Sequence, residues 1–355
     1  MTTIREAVRK LYPRVRGREE PIVPLRPLHI MQSHADWIWS LASIPDSNLF
    51  VSGSGDHSCR VWSAKNGSEV GKAMVHGDRV YAIVVSKDGK TVASGGNDGK
   101  INVWTLESRE KIIGWDTSES WVFSLAMSQD SKTVASGHGN GTIRLWNAST
   151  GDRIAGPYQL HDARVLAVSF STDDSQIASG GSDGHIHVTH SHSGEDAIPP
   201  FRAHDDWIQS LVWPPNGQLI SASLDKTVKC WDSSNGSLLA INNRHMGSLS
   251  ALAVSSDGKL LASVSGDGAA RLWNASTHEQ IGSTLQHRTP LFAAALCSDG
   301  HYLATAGKDR KVYIWNLKDI HEVAKVIAED SITAAPEVQS QPSSGGAITG
   351  HDTNV

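Results

Sequence analysis

The chain has 355 residues, a formal net charge of −5 and 39% hydrophobic residues, enough to bury a large core as one big domain or two ordinary ones. The mild acidity argues against nucleic acid as the main partner, because phosphate binding needs a basic excess. Cys59, Cys230 and Cys297 lie too far apart for a disulfide framework or a zinc knuckle, and no apolar run is long enough to span a bilayer.

The chain opens with "MTTIREAVRKLYPRV", which lacks the apolar segment of a secretory signal. The expectation is therefore an intracellular protein, cytoplasmic or nuclear, that does not meet the membrane. The "NGS", "NGT" and "NAS" tripeptides at Asn66, Asn140, Asn147, Asn235 and Asn274 then read as turns. Residues 1–21 form an N-terminal arm. Thr3 and Glu6 make a capping box, and Ile4, Val8 and Leu11 give a helical stripe that Pro13 stops. Arg5, Arg9, Lys10, Arg14, Arg16 and Arg18 make the short helix basic, which suits a solvated cap, a docking arm or a targeting signal.

From residue 22 to residue 316 one pattern recurs seven times, at a spacing of 41–43 residues. Each unit holds short runs of alternating polarity broken at turns such as Asp88-Gly89, the mark of many short strands. The runs start at Ile38, Val80, Val122, Val165, Ile208, Leu249 and Leu291. Four residues earlier stands His34, His76, His161, His204, His245 or His287, with Ser118 in the third unit. A hydroxyl follows at Ser52, Ser94, Ser136, Ser179, Ser221, Ser263 or Thr305. Four residues on comes Asp56, Asp98, Asp183, Asp225, Asp267 or Asp309, with Asn140 in the third unit. Six further comes Trp62, Trp104, Trp146, Trp231, Trp273 or Trp315, with Thr189 in the fourth.

These units, written as "VASGGNDGKINVW", "IASGGSDGHIHV", "ISASLDKTVKCWD" and "LASVSGDGAARLWN", resemble the WD-repeat family of β-propellers over roughly residues 22 to 316. The resemblance implies an all-β, seven-bladed propeller of four-stranded antiparallel blades. It also implies that histidine, hydroxyl, aspartate and tryptophan of one unit form a buried hydrogen-bonded clamp. In it the indole donates to the hydroxyl, the hydroxyl to the imidazole, and the imidazole to the carboxylate. A triad-like set repeated around a ring is architecture rather than catalysis. Units one, two, five and six carry all four residues, and unit seven carries them with Thr305 for serine. Units three and four are incomplete and are expected to be the softer sector. By the family's logic "LRPLHIMQ", Leu25 to Gln32, becomes the outer strand of the last blade and closes the ring. The rival for that slot is "HEVAKVI"; since Ile320, Val323 and Ile327 recur at helical spacing, a short helix is expected over 317–328 instead. Residues 329–355 have too little apolar content to pack and are expected to be disordered.

Of the twelve tryptophans six belong to the clamp. Trp213 falls at a core position, and Trp115 lies in an outermost strand where it packs locally. Trp37, Trp39, Trp121 and Trp207 fall beside the leading apolar residues. In the family those positions rim the narrow upper face, where partners commonly dock. Around the units the outer position reads Trp37, Arg79, Trp121, Arg164, Trp207, Ser248, Pro290; the inner one reads Trp39, Tyr81, Phe123, Leu166, Gln209, Ser250, Phe292. Leu224 and Lys308 border the same face. Concentrated aromatics and arginines are what binding hot spots are made of; the other reading is that they stack between loops and stiffen the face. Arginines suit carboxylate or phosphate, and aromatics suit apolar groups or a cation.

"GHIHVTHSH", with His185, His187, His190 and His192, has no cysteine or clustered carboxylate to complete a metal site, and "GHGNGT" has no lysine to hold a phosphate. Neither metal nor cofactor is expected. The function this supports is a non-enzymatic scaffold, monomeric within a larger assembly, that presents the aromatic and arginine face to a peptide or protein. Such a ligand would pair an apolar anchor with an acidic or phosphorylated residue. The alternative is a stand-alone recognition propeller like those attached to signalling nucleotide-binding proteins. A propeller enzyme would need acids, histidines or a metal converging on the central channel.

Overall fold

The structure, a computed structural model, describes residues 25–117 and 120–320. These residues form seven antiparallel sheets arranged in a ring, a β-propeller. The second blade shows the plan: Val80–Val85 innermost, then Thr91–Gly96, Lys100–Thr105 and, outermost, Lys111–Asp116. Gly89 and Gly99 turn the hairpins with φ of 67°, a conformation that costs a residue without Cβ nothing. The two middle strands are buried on both faces, whereas the outermost is half solvated. That gradient follows from sheets packed face to face around an axis.

The core consequently lies between blades. Met74 and Val61 of the first blade pack with Val80, Ile83 and Trp104 of the second, and each later junction repeats the arrangement. The approach is close: a Cβ on Gly53 would stand 2.7 Å from Val80 Cγ1. The ring closes through His29–Gln32, which pairs antiparallel with Lys311–Asn316, His29 opposite Ile314 and Gln32 opposite Lys311. Met31, Phe50, Trp62 and Ile314 then share one apolar cluster between the last blade and the first.

Two details depart from expectation. The first blade is not four simple strands: its outer strand is broken into Ser68–Glu69 and Met74–Val75, with Gly71 at φ 78° in the break. The helix expected over 317–328 is, in its described part, a single 3-10 turn, Leu317–Asp319, capped by the Asn316 side chain. The rest of that segment, the N-terminal arm over 1–21 and the tail over 329–355 lie outside the described residues.

Every innermost strand carries a β-bulge at its second residue. Ile38 pairs with Ser54 and Ser40 with Gly53, which leaves Trp39 as the extra residue. The same slip falls at Tyr81, Phe123, Leu166, Gln209, Ser250 and Phe292. A bulge re-aims its extra side chain out of the ladder, so one backbone device sets the inner residues of the upper face apart from the strand.

Candidate functional site

The site rests on the clamps, which fix the loops that carry it. In the first unit the Trp62 indole N–H donates to Ser52 Oγ at 2.7 Å, Ser52 Oγ lies 2.6 Å from His34 Nε2, and His34 Nδ1 lies 2.7 Å from Asp56. The same chain joins Trp231, Ser221, His204 and Asp225. It also joins Trp273, Ser263, His245 and Asp267, where the last step is 3.3 Å. In the second unit Trp104 donates to Ser94, and His76 faces Ser94 through Nδ1 and Asp98 through Nε2. Burial pushes the Asp56, Asp98, Asp183, Asp225 and Asp267 carboxyls up, but the histidine, hydroxyl and amide donors outweigh it, leaving each below the usual range, Asp183 at about 2. Burial likewise pushes His204 and His245 down. Burial thus favours a neutral imidazole donating to its carboxylate in the fifth and sixth units, where both ring nitrogens of the histidine are engaged.

Three units depart from the pattern. In the third, Ser118 lies outside the described residues, and fully buried His138, two residues past Ser136, supplies the imidazole: its Nε2 stands 2.8 Å from Ser136 Oγ, which accepts from Trp146. In the fourth, His161 joins Ser179 and Asp183. With Thr189 in the indole position, His187 packs edge-on against His161 at 4.5 Å. The seventh corrects the expectation of a complete chain. Trp315 and His287 both meet Thr305 at 3.0 and 3.2 Å, but Asp309 accepts from the Tyr313 hydroxyl at 2.5 Å instead of from His287. The Tyr313 ring stands edge-on to the imidazole.

Above the clamps the bulged and pre-strand residues form one continuous arc. Lys308 Nζ lies 5.6 Å from the Trp37 ring. Trp37 meets Trp39 at 5.4 Å, and Trp39 stacks on Phe292 at 4.9 Å, tilted only 12°. Trp39 then meets Tyr81 edge-on at 5.9 Å, and Tyr81 stacks on Phe123 at 5.5 Å. Phe123 meets Trp121 at 5.7 Å. The Arg164 guanidinium closes the arc, 5.9, 5.6 and 5.7 Å from Trp121, Phe123 and Trp207. Trp37, Trp121 and Trp207 keep 37%, 44% and 38% of their surface in solvent. Arg79 is exposed on the rim between Trp39 and Trp121, and Leu224 is half-buried, its amide donating to the Trp207 carbonyl. Asp36, Asp78 and Asp206 each accept from the amide of the following residue and so fix the pre-strand backbone.

Elsewhere, Trp213 is half-buried against the apolar cluster between blades four and five, and Trp115 packs on Trp146 at 6.0 Å. His187 is half-buried, His185 lies 4.0 Å from Asp183, and His190 and His192 stand 5.8 Å apart. Among the described residues no three His, Cys, Asp or Glu side chains are placed to hold a metal ion. No described helix is long and apolar enough to cross a membrane.

The family model described as "WD domain, G-beta repeat" matches the chain seven times, at residues 25–63, 68–105, 110–147, 155–189, 197–232, 236–274 and 279–316. No curated protein matches the sequence. Many solved chains share the fold. One from the crystal structure of the mitotic checkpoint complex superposes with a TM-score of 0.73 at 20% identity, covering 85% of this chain and 96% of that one. At that identity the likeness carries the architecture alone.

Proposed function

Because the chain belongs to the WD40-repeat family, whose propellers are generally non-enzymatic protein-binding scaffolds, we propose that it binds a peptide or protein segment through the upper-face arc. The observation that carries this reading is the continuous arc in which aromatic rings run from Trp37 to Trp121 and Arg164 joins them to Trp207, with three tryptophans part-exposed on one face. Exposed tryptophans are expensive to hydrate and are enriched at the centres of protein interfaces. The mutual stacking supports the reading too: rings already fixed against one another lose little freedom when a partner covers them. Stiffness of the face is therefore compatible with binding. Three buried, unpaired cysteines fit a reducing compartment such as cytoplasm or nucleus.

The test is selection from a displayed random-peptide library, with the selected peptides then titrated against a Trp39→Ala, Trp121→Ala, Trp207→Ala variant whose melting shows it folded. The variant is expected to lose about a hundredfold or more in affinity. Unchanged binding by the folded variant would place the site on another surface.

A further inference from the structure

We propose that the ligand of this arc is an acidic peptide segment, with a negative group near each end and an apolar or aromatic centre, docked between Lys308 and Arg164. This rests on the arc being the binding surface and adds the charge and register of what it binds. An aromatic face attracts cations, yet here the protein's own cations already take that place. Arg164 sits within 5.9 Å of three rings and Lys308 within 5.6 Å of a fourth. A cationic ligand would meet like charge there. An anion would meet two cations, neither of which has an ion pair among the described residues, and a third in exposed Arg79 between them.

The acids of the same loops offset this only in part. Asp36, Asp78 and Asp206 are turned to cap backbone amides, and Asp205 lies 3.7 Å from Arg202. Asp162 is the loop acid left without a partner among the described residues. Arg164 is itself exposed, so its charge and its donors are open to a carboxylate. Between the cations the path runs through Trp37, Trp39, Tyr81 and Phe123 in steps of 5.4–5.9 Å. An extended chain advancing about 3.3 Å per residue follows that path in about eight residues, the greatest separation of the acids that the arc allows.

The probes are three fluorescein-labelled peptides of about nine residues with a leucine–phenylalanine centre, carrying glutamates at both ends, glutamines at both ends, or lysines at both ends. Fluorescence anisotropy is expected to rank them in that order, with affinity for the glutamate peptide falling as salt rises. Arg164→Gln and Lys308→Gln are each expected to weaken the glutamate peptide about five- to tenfold and the glutamine peptide markedly less. Arg164→Lys, which keeps the charge, retains most of the binding. Tryptophan-dependent binding that is indifferent to the peptide's charge, or that favours lysine, overturns the acidic assignment alone. Binding that survives loss of the three tryptophans, or no binding of any peptide, counts against the arc itself and the assignment with it.

Discussion

Replacing Ser221 by alanine tests the clamp where it is complete. The hydroxyl is fully buried, accepts from the Trp231 indole at 2.8 Å and lies 2.7 Å from His204 Nε2. Alanine leaves the indole N–H and His204 Nε2 buried without a partner, at about 1–3 kcal/mol each, so about 2–6 kcal/mol together. With an unfolding entropy of about 2.1 cal/mol/K per residue over roughly 290 residues, the melting temperature falls by about 3–10 °C. The fourth unit supplies the control. Ser179 is equally buried and meets His161 at 2.9 Å, but Thr189 stands where the indole would be. Ser179→Ala orphans one group and is expected to cost about half as much. Calorimetry of the two variants decides the matter. Equal losses, or a larger loss from Ser179→Ala, would refute the view that the indole and the imidazole both depend on the hydroxyl.

Burial holds His187 and His287 down to about 4, from an ordinary value of 6.5. The unfolded chain therefore takes up protons below about pH 6.5 that the fold refuses until about pH 4, so stability present above 6.5 is lost as pH falls through that window. A melting temperature that stays flat between pH 6.5 and 4, or one whose slope His287→Asn leaves unchanged, would contradict this. Ring closure is tested on the first strand. Met31→Asp forces a carboxylate into the cluster between the last and first blades and should lower the melting temperature by about 5 °C or more, whereas Gln32→Asp, exposed on the same strand, should shift it by only about 1 °C.

The clamp pattern and the ring closure were legible because both depend on residue types at fixed offsets. A buried serine needs a donor and an acceptor, and these stand at set distances along the unit. What escaped were features that break the offset. His138 reaches Ser136 from the same strand, where other units have Ser54, Gly96 or Ser223, so an imidazole was present two residues away from where the pattern places none. Tyr313 takes Asp309 because it occupies the position of Arg60, Asn102 and Lys229, the one unit with a hydroxyl-bearing ring there. The bulges had a signal that alternation alone conceals. Leading apolar residues are followed by the next inward one at a distance of three, as in Ile38 and Leu41, Val80 and Ile83, or Ile208 and Leu211, and an odd step within a strand of period two requires one extra residue.

The distribution of the aromatic residues argues for recognition over simple stiffening. Every blade needs its clamp, and the clamp recurs, with substitutions, in all of them. Stiffening the upper loops would be needed in every blade as well, yet the arc runs from blade seven through blades one to five and lapses at blade six, where Ser248 and Ser250 take the two positions. There Met246 is exposed, and the Ser248 hydroxyl donates to the Leu224 carbonyl of the neighbouring blade. A pseudo-sevenfold ring whose face goes undecorated at blade six has lost its symmetry at the surface while keeping it within. A symmetric plug in the channel would exploit none of that asymmetry. A segment lying along one side of the channel mouth, crossing several blades and leaving blade six uncovered, would use all of it.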